Sequence, residues 1–200
     1  MTEPRLQPQL VMRRPDLHNL PAVHLPDGFH LRLFREGDER AWEIIIAESF
    51  HRELQPNEFE NAIKSRPPFK PERVLFVVSN DVPVATATAW EEPKYGQEAG
   101  YLHMVGVRPG HQGKRLGYWV SVAVLHRFVV EGRKKAVLQT DDFRLPAVKT
   151  YLALGFEPLL VDENQRQRWP DVFAALGRRD ELVGRFADVL GGPLQRFEEK

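Results

Sequence analysis

The segment Tyr101 to Gly117, YLHMVGVRPGHQGKRLG, runs directly into a long apolar stretch, and no other part of the chain constrains its fold as strongly. It reads as a β-strand that delivers a glycine-punctuated loop onto the start of a helix. At such a junction the first backbone N–H groups of the helix lack intrahelical partners, and the positive end of the helix dipole lies behind them. With Lys114 and Arg115 alongside, the junction is suited to holding a phosphate.

Two common phosphate loops do not fit. A Walker-type loop needs four residues between its first glycine and the Gly-Lys pair, then a hydroxyl, whereas only His111 and Gln112 separate Gly110 from Gly113, and Arg115 follows Lys114. A dinucleotide fingerprint needs G-x-G-x-x-G spacing, and the chain has Gly110, Gly113 and Gly117.

The spacing that fits is Val105-Gly106-Val107-Arg108-Pro109 at a strand end, followed by Gln112-Gly113-Lys114-Arg115-Leu116-Gly117. At these residues the sequence resembles the GNAT superfamily of N-acetyltransferases. The resemblance implies that the backbone amides of Gln112 through Gly117 hold the pyrophosphate of coenzyme A. Arg115 stands where the family has a small residue: it can crowd the backbone or add charge against the phosphates. A second block, Arg144 to Phe156 (RLPAVKTYLALGF), has the Ala-x-x-x-Tyr-x-x-x-Gly-Phe spacing of the family's next helix, with Arg144 in place of the usual Asn. Between the blocks lie a helix-length run and a short apolar strand, in βαβα order.

The resemblance, covering roughly Gly28 to Val161, implies an α/β (α+β) domain with a mixed, mostly antiparallel central sheet, flanking helices and splayed central strands. It implies acetyl (acyl) transfer from acetyl-CoA to an amine. Gly106, inside its strand, marks a bulge or a close approach, by a ligand on the family's pattern. There the strand around Val105, Gly106 and Val107 would receive the pantetheine arm, and a main-chain N–H near Val105 would polarise the thioester carbonyl. Tyr151 is the candidate proton donor to the departing thiolate; the other reading is a core aromatic. Candidate bases are Glu91, Glu92, His103 and Asp141, with Glu91 and His103 preferred. Arg144 is a candidate cofactor contact. A catalytically silent acyl-CoA sensor and a plain phosphate- or nucleotide-binding unit remain as alternatives.

The charges balance, 28 basic against 28 acidic residues, so nothing points to nucleic acid or a membrane surface. The absence of cysteine rules out a disulfide framework, a thiolate metal site and a cysteine nucleophile. The seven histidines lack ligand spacing, so no metal is expected. Without an apolar run of about 20 residues or a signal-like start, the expected residence is the cytoplasm. The expected acceptor is a small-molecule or peptide amine.

Residues 1–26, rich in proline, read as an extended or disordered N-terminal arm, 27–161 as the acyltransferase domain, and 162–200 as a helical extension. Phe29, Leu31 and Leu33 suggest a first strand. Asp38 is placed to cap a helix with Trp42, Ile45, Ile46 and Phe50 on one side, and Asn57 with Glu60 resembles a capping box. Val74 to Val78, the Asn80-Asp81 turn and Val84 to Trp90 form a hairpin whose alanine face (85, 87, 89) suits a close helix; Thr86 and Thr88 face a cleft or water. In the extension, Pro170 is expected to open one helix and Asp180 to Leu190 to form another, packing on the core, covering the open end of the acceptor cleft or pairing with a second copy in a homodimer.

Overall fold

A computed structural model describes residues 7–197. In chain order its principal elements are β1 (Leu10–Arg14), β2 (His30–Leu33), α1 (Glu39–Ser49), β3 (Val74–Ser79), β4 (Val82–Trp90), β5 (Ala99–Val107), α2 (Leu116–Val130), β6 (Lys135–Thr140), α3 (Leu145–Ala153), β7 (Glu157–Leu159), α4 (Gln165–Ala175), α5 (Arg179–Arg185) and α6 (Ala187–Gly191). The mixed α/β class with mostly antiparallel strands is as expected. The chain divides into two compact parts: Pro15–Ala136, and the residues up to Arg14 together with those from Val137 onward.

In the first part the strand order is β2-β3-β4-β5, antiparallel throughout. Asn80 and Asp81 both have positive φ, 47° and 63°, the geometry that matches a two-residue turn to strand twist. Ala85, Ala87 and Ala89 face α2, as the small side chains require. On the same face a Cβ at Gly100 would lie 2.3 Å from the Phe128 ring of α2. Thr86, Thr88 and Trp90 occupy the opposite face. Instead of meeting water, Thr86 and Thr88 are fully buried, because α1 covers that face with Trp42, Ile45 and Ile46 in the core.

Asp38 does sit at the N-cap of α1, yet its carboxylate makes no cap bond. It accepts from the Arg35 N–H at 2.7 Å and from both terminal nitrogens of Arg32, at 2.5 and 2.8 Å. A bidentate guanidinium is a stronger partner than a helix N–H. The expected capping box is also absent: Asn57 has φ 55°, and the short helical turn Glu60–Lys64 has no side-chain cap.

In the second part the order is β6-β1-β7. Within the segment read as an N-terminal arm, Leu10–Arg14 forms β1. Leu10, Val11 and Met12 are core residues, and β1 pairs with β7 through Val11↔Leu159, Met12↔Pro158 and Arg13↔Glu157. Its partner lies some 145 residues away in sequence, so no local pattern reveals it. Residues 1–6 lie outside the described residues.

Further differences concern the extension. Pro170 lies inside α4 and does not open it. The stripe expected as one helix from Asp180 to Leu190 breaks at Phe186 into α5 and α6. Phe186 is buried against Phe173, which in turn packs on Trp169, at centroid separations of 5.9 and 5.6 Å. The buried Gln165 joins α4 to the N-terminal residues, donating to the Gln9 carbonyl and accepting from the Val161 N–H, both at 2.9 Å.

Candidate functional site

The register of β4 and β5 shows why β5 is unusual. Thr86 pairs with Gly106, while Thr88 pairs with His103, so two steps along β4 match three along β5. The additional residue is a bulge, with Met104 at φ 49°. Strict alternation would put residues 103 and 106 on opposite faces. The bulge brings His103, Tyr101 and Gly106 to one face, with Thr86, Thr88 and Trp90 across from them.

Gly106 serves a packing role that was not expected. A Cβ there would lie 3.1 Å from Ile45, 3.2 Å from Ile46 and 3.3 Å from Ser49, so the missing side chain makes room for α1. The same helix supplies a residue that sequence reading missed: the Ser49 hydroxyl accepts from the Val107 N–H at 3.3 Å. Arg108, next along, is held by Glu48 of α1 at 2.8 and 3.0 Å.

Beyond β5 the chain makes a turn at Pro109–His111 and then passes through extended Gln112, Gly113 at φ 79° and left-handed Arg115 at φ 59° into α2. No side chain caps this helix, and the first intrahelical bond of the turn is from the Trp119 N–H to the Arg115 carbonyl at 3.1 Å. The N–H groups of Leu116, Gly117 and Tyr118 precede it in the first turn, where an anion is favoured. Gly117 packs the helix start against β5, since a Cβ would be 3.4 Å from Val107. Gln112, Gly113, Lys114 and Arg115 are exposed. The Arg115 guanidinium does not crowd the loop backbone; it stacks on Tyr118 and Trp119, 4.4 and 5.4 Å from their centroids. The exposed amides, the glycine turn and two cations fit a pyrophosphate.

Tyr151 lies on α3, which starts after Arg144, has Pro146 in its first turn and stops at Gly155, φ 80°. The side chain is 7% exposed and packs against Phe156. Burial pushes its phenol up to about 12, against an opposing pull from Arg144, so it stays protonated at neutral pH. The Arg144 guanidinium donates to Asp141 at 2.8 Å and lies over Phe143. Asp141 also accepts from Gln9 at 3.0 Å.

The candidate bases differ sharply. Glu91 accepts from Arg73 and from Arg133, each at 2.5 Å. Arg73 in turn makes a bidentate pair with Glu131, at 2.8 and 2.7 Å, and Glu131 accepts from Arg127 at 2.8 Å. Burial raises the Glu131 carboxyl, but hydrogen bonds from Arg73 and Arg127 outweigh it and hold it below its ordinary value. Glu91 thus belongs to an ion-pair network. His103 lies between Trp90 and Tyr101, at centroid separations of 5.8 and 5.3 Å, and burial pulls its imidazole down to about 4. It is neutral at pH 7 and keeps a lone pair. Among the described residues no group of His, Asp and Glu could hold a metal ion, and no helix is long and apolar enough to cross a membrane. An apolar cleft of about 280 Å³, lined in part by Leu31, Leu75, Ala123 and Val130, contains none of the candidate residues.

Residues 34–156 match the profile of the Acetyltransferase (GNAT) family. The chain belongs to that family. Among curated proteins the GNAT chain is similar to mycothiol acetyltransferases, with 32% identity to that of Thermomonospora curvata over 79% of this chain and 54% of the relative. Identity to that of Thermobispora bispora is 31%, over 78% of this chain and 56% of the relative. The chain thus spans about half the length of these relatives. Among solved structures it shares the fold of a GCN5-related N-acetyltransferase from Sphaerobacter thermophilus, with TM-score 0.59 and 23% identity over 76% of this chain and 49% of that one. The fold is also that of a GCN5-related N-acetyltransferase from Kribbella flavida, with TM-score 0.55 and 19% identity over 76% and 55%.

Proposed function

We propose that this GNAT protein transfers an acetyl group from acetyl-CoA to the amine of a small molecule. The observation that carries the reading is the glycine turn at Gly113 running into the uncapped start of α2, inside the segment matched by the family. The amides of Gln112 to Gly117 would hold the pyrophosphate, with Lys114 and Arg115 supplying charge. The bulged strand at Val105, Gly106 and Val107 would present main-chain groups to the pantetheine arm and an N–H to the thioester carbonyl. Preorganised donors of that kind stabilise the oxyanion without reorganising as it forms.

His103, neutral and with a free lone pair, is assigned the amine's proton, and Tyr151, protonated, donates to the departing thiolate. Glu91 is left out because two guanidiniums hold it. Arg144 is assigned a contact with the coenzyme; its charge also opposes the effect of burial on Tyr151. The acceptor is assigned as a small-molecule amine because the relatives are named for mycothiol, a small molecule.

Calorimetric titration with acetyl-CoA, CoA and ADP tests the reading, repeated on the Gly113→Val/Gly117→Val variant. A valine is strained at φ 79° and, at 117, adds branched bulk at the helix start, where a Cβ already touches Val107. Binding of both CoA species, lost in the variant, is expected. If neither CoA species binds the wild-type protein, the transferase reading fails; CoA binding without thiol release across an amine panel would make the protein a sensor instead.

A further inference from the structure

Thr88 is fully buried in the first compact part of the chain, and its hydroxyl has no hydrogen-bond partner among the described residues. Thr86, two residues earlier on the same face, makes the ordinary arrangement, donating to the Leu75 carbonyl at 2.9 Å. An unsatisfied buried hydroxyl is costly and infrequent in a native interior, and its presence calls for a reason. The strand register supplies one. The β5 bulge moves His103 directly opposite Thr88, and side chains of directly paired residues on one face lie within contact range.

We propose that the Thr88 hydroxyl becomes the acceptor for a ring N–H of His103 once that imidazole takes a second proton and is charged, which makes Thr88 a positioning residue for the base. The inference rests on the assignment of His103 as that base. In the step itself, the amine's proton moves to the free ring nitrogen of His103 as the amine nitrogen bonds to the acetyl carbonyl carbon and the carbonyl π pair moves to oxygen; that pair then returns, the C–S bond breaks, and the departing thiolate takes the Tyr151 proton. The other ring nitrogen, now part of an imidazolium, donates its N–H to the Thr88 oxygen. A bond that strengthens only when charge appears favours the transition state over the resting enzyme.

The surroundings leave the hydroxyl this role. On β4 and β5 the ring meets Trp90 and Tyr101. The carboxylates on α1, which packs on these strands, are otherwise engaged: Glu39 pairs with Lys64 at 2.9 Å, Glu43 with Arg40 at 3.2 Å and Glu48 with Arg108. Glu91, beyond the end of β4, is held by Arg73 and Arg133. Burial is the only cause of the low His103 value. None of these carboxylates compensates a charged His103, and the hydroxyl is the polar group placed opposite it.

The test is an NMR titration of the ring of His103 in the wild-type protein, Thr88→Val and Thr88→Ser, with His103→Gln assigning the resonance and acid unfolding followed in parallel. Valine preserves shape and strand preference without the hydroxyl; serine keeps the hydroxyl. Thr88→Val is expected to titrate about one unit lower, a tenfold loss of proton affinity, or to unfold at higher pH on acidification, with thermal stability at pH 7 undiminished. Thr88→Ser should follow the wild type. If Thr88→Val moves neither the titration nor the acid midpoint, or if Thr88→Ser shifts as far as Thr88→Val, the proposal is overturned. Neither readout needs acetyl-CoA or an acceptor, so this failure removes the role of Thr88 alone, whereas absent CoA binding removes the transferase reading.

Discussion

Arg73 donates to Glu91 at 2.5 Å while binding Glu131 through two further bonds, at 2.8 and 2.7 Å. One buried guanidinium thus joins the segment preceding β3, the end of β4 and the end of α2. Glu91→Gln removes one charge from a partly exposed pair, since the Glu91 side chain is 40% exposed, and is expected to cost about 1 kcal/mol of stability. Arg73→Met removes two of the bonds to the Glu131 carboxylate, 12% exposed, and leaves it Arg127 alone, which should cost about 1.5–3 kcal/mol. Denaturant unfolding of both variants checks the order. A loss of turnover in Glu91→Gln without loss of stability would restore that residue as a base.

Gly106→Val should destabilise by about 1–3 kcal/mol, because its side chain would meet Ile45, Ile46 and Ser49. The strain falls on α1 and the β5 bulge together. The urea midpoint should fall, and acetyl-CoA affinity should weaken with it. Unchanged stability would mean that α1 can retreat from β5.

Tyr151→Phe keeps the aromatic packing against Phe156 and removes the phenol proton. Turnover should fall about 100-fold or more, with acetyl-CoA affinity and melting temperature nearly unchanged. Rapid-quench kinetics beside calorimetry separate these effects. Equal loss of affinity and turnover would assign the hydroxyl to binding.

Stability should fall on acidification between about pH 6.5 and pH 4. His103 titrates at about 4 in the folded protein against an ordinary value of 6.5, so the unfolded chain binds the extra proton throughout that window. Stability is therefore complete above the unfolded value and is lost as pH falls toward the folded one, by up to about 3 kcal/mol. His103→Gln should flatten this part of the curve, as measured by chemical unfolding at fixed temperature. A slope identical to wild type would show that His103 is not the group responsible.

The two family blocks were legible in sequence because their chemistry is local. Gly113 is required where φ is 79° and Gly155 where φ is 80°, and Tyr151 falls at fixed spacing from that second glycine on one helix. The hairpin was equally legible, since Asn80-Asp81 and the alternating alanines encode a turn and a close-packed face over a dozen residues. These short-range dictates determined the glycine loop, the tyrosine helix and the fold class.

What only the tertiary structure decided involves partners far apart in the chain. β1 is a strand because β7 accepts it, with Met12 opposite Pro158. Asp38 abandons its helix cap because Arg32 offers two stronger bonds. Glu91 becomes an ion-pair member through Arg73 and Arg133, and Thr88 meets His103 only because one additional residue in β5 shifts the register. Periodicity and spacing report the torsions and faces of single elements, whereas register, ion pairing and buried hydroxyls follow from which elements meet, a choice made by the burial free energy of the whole chain.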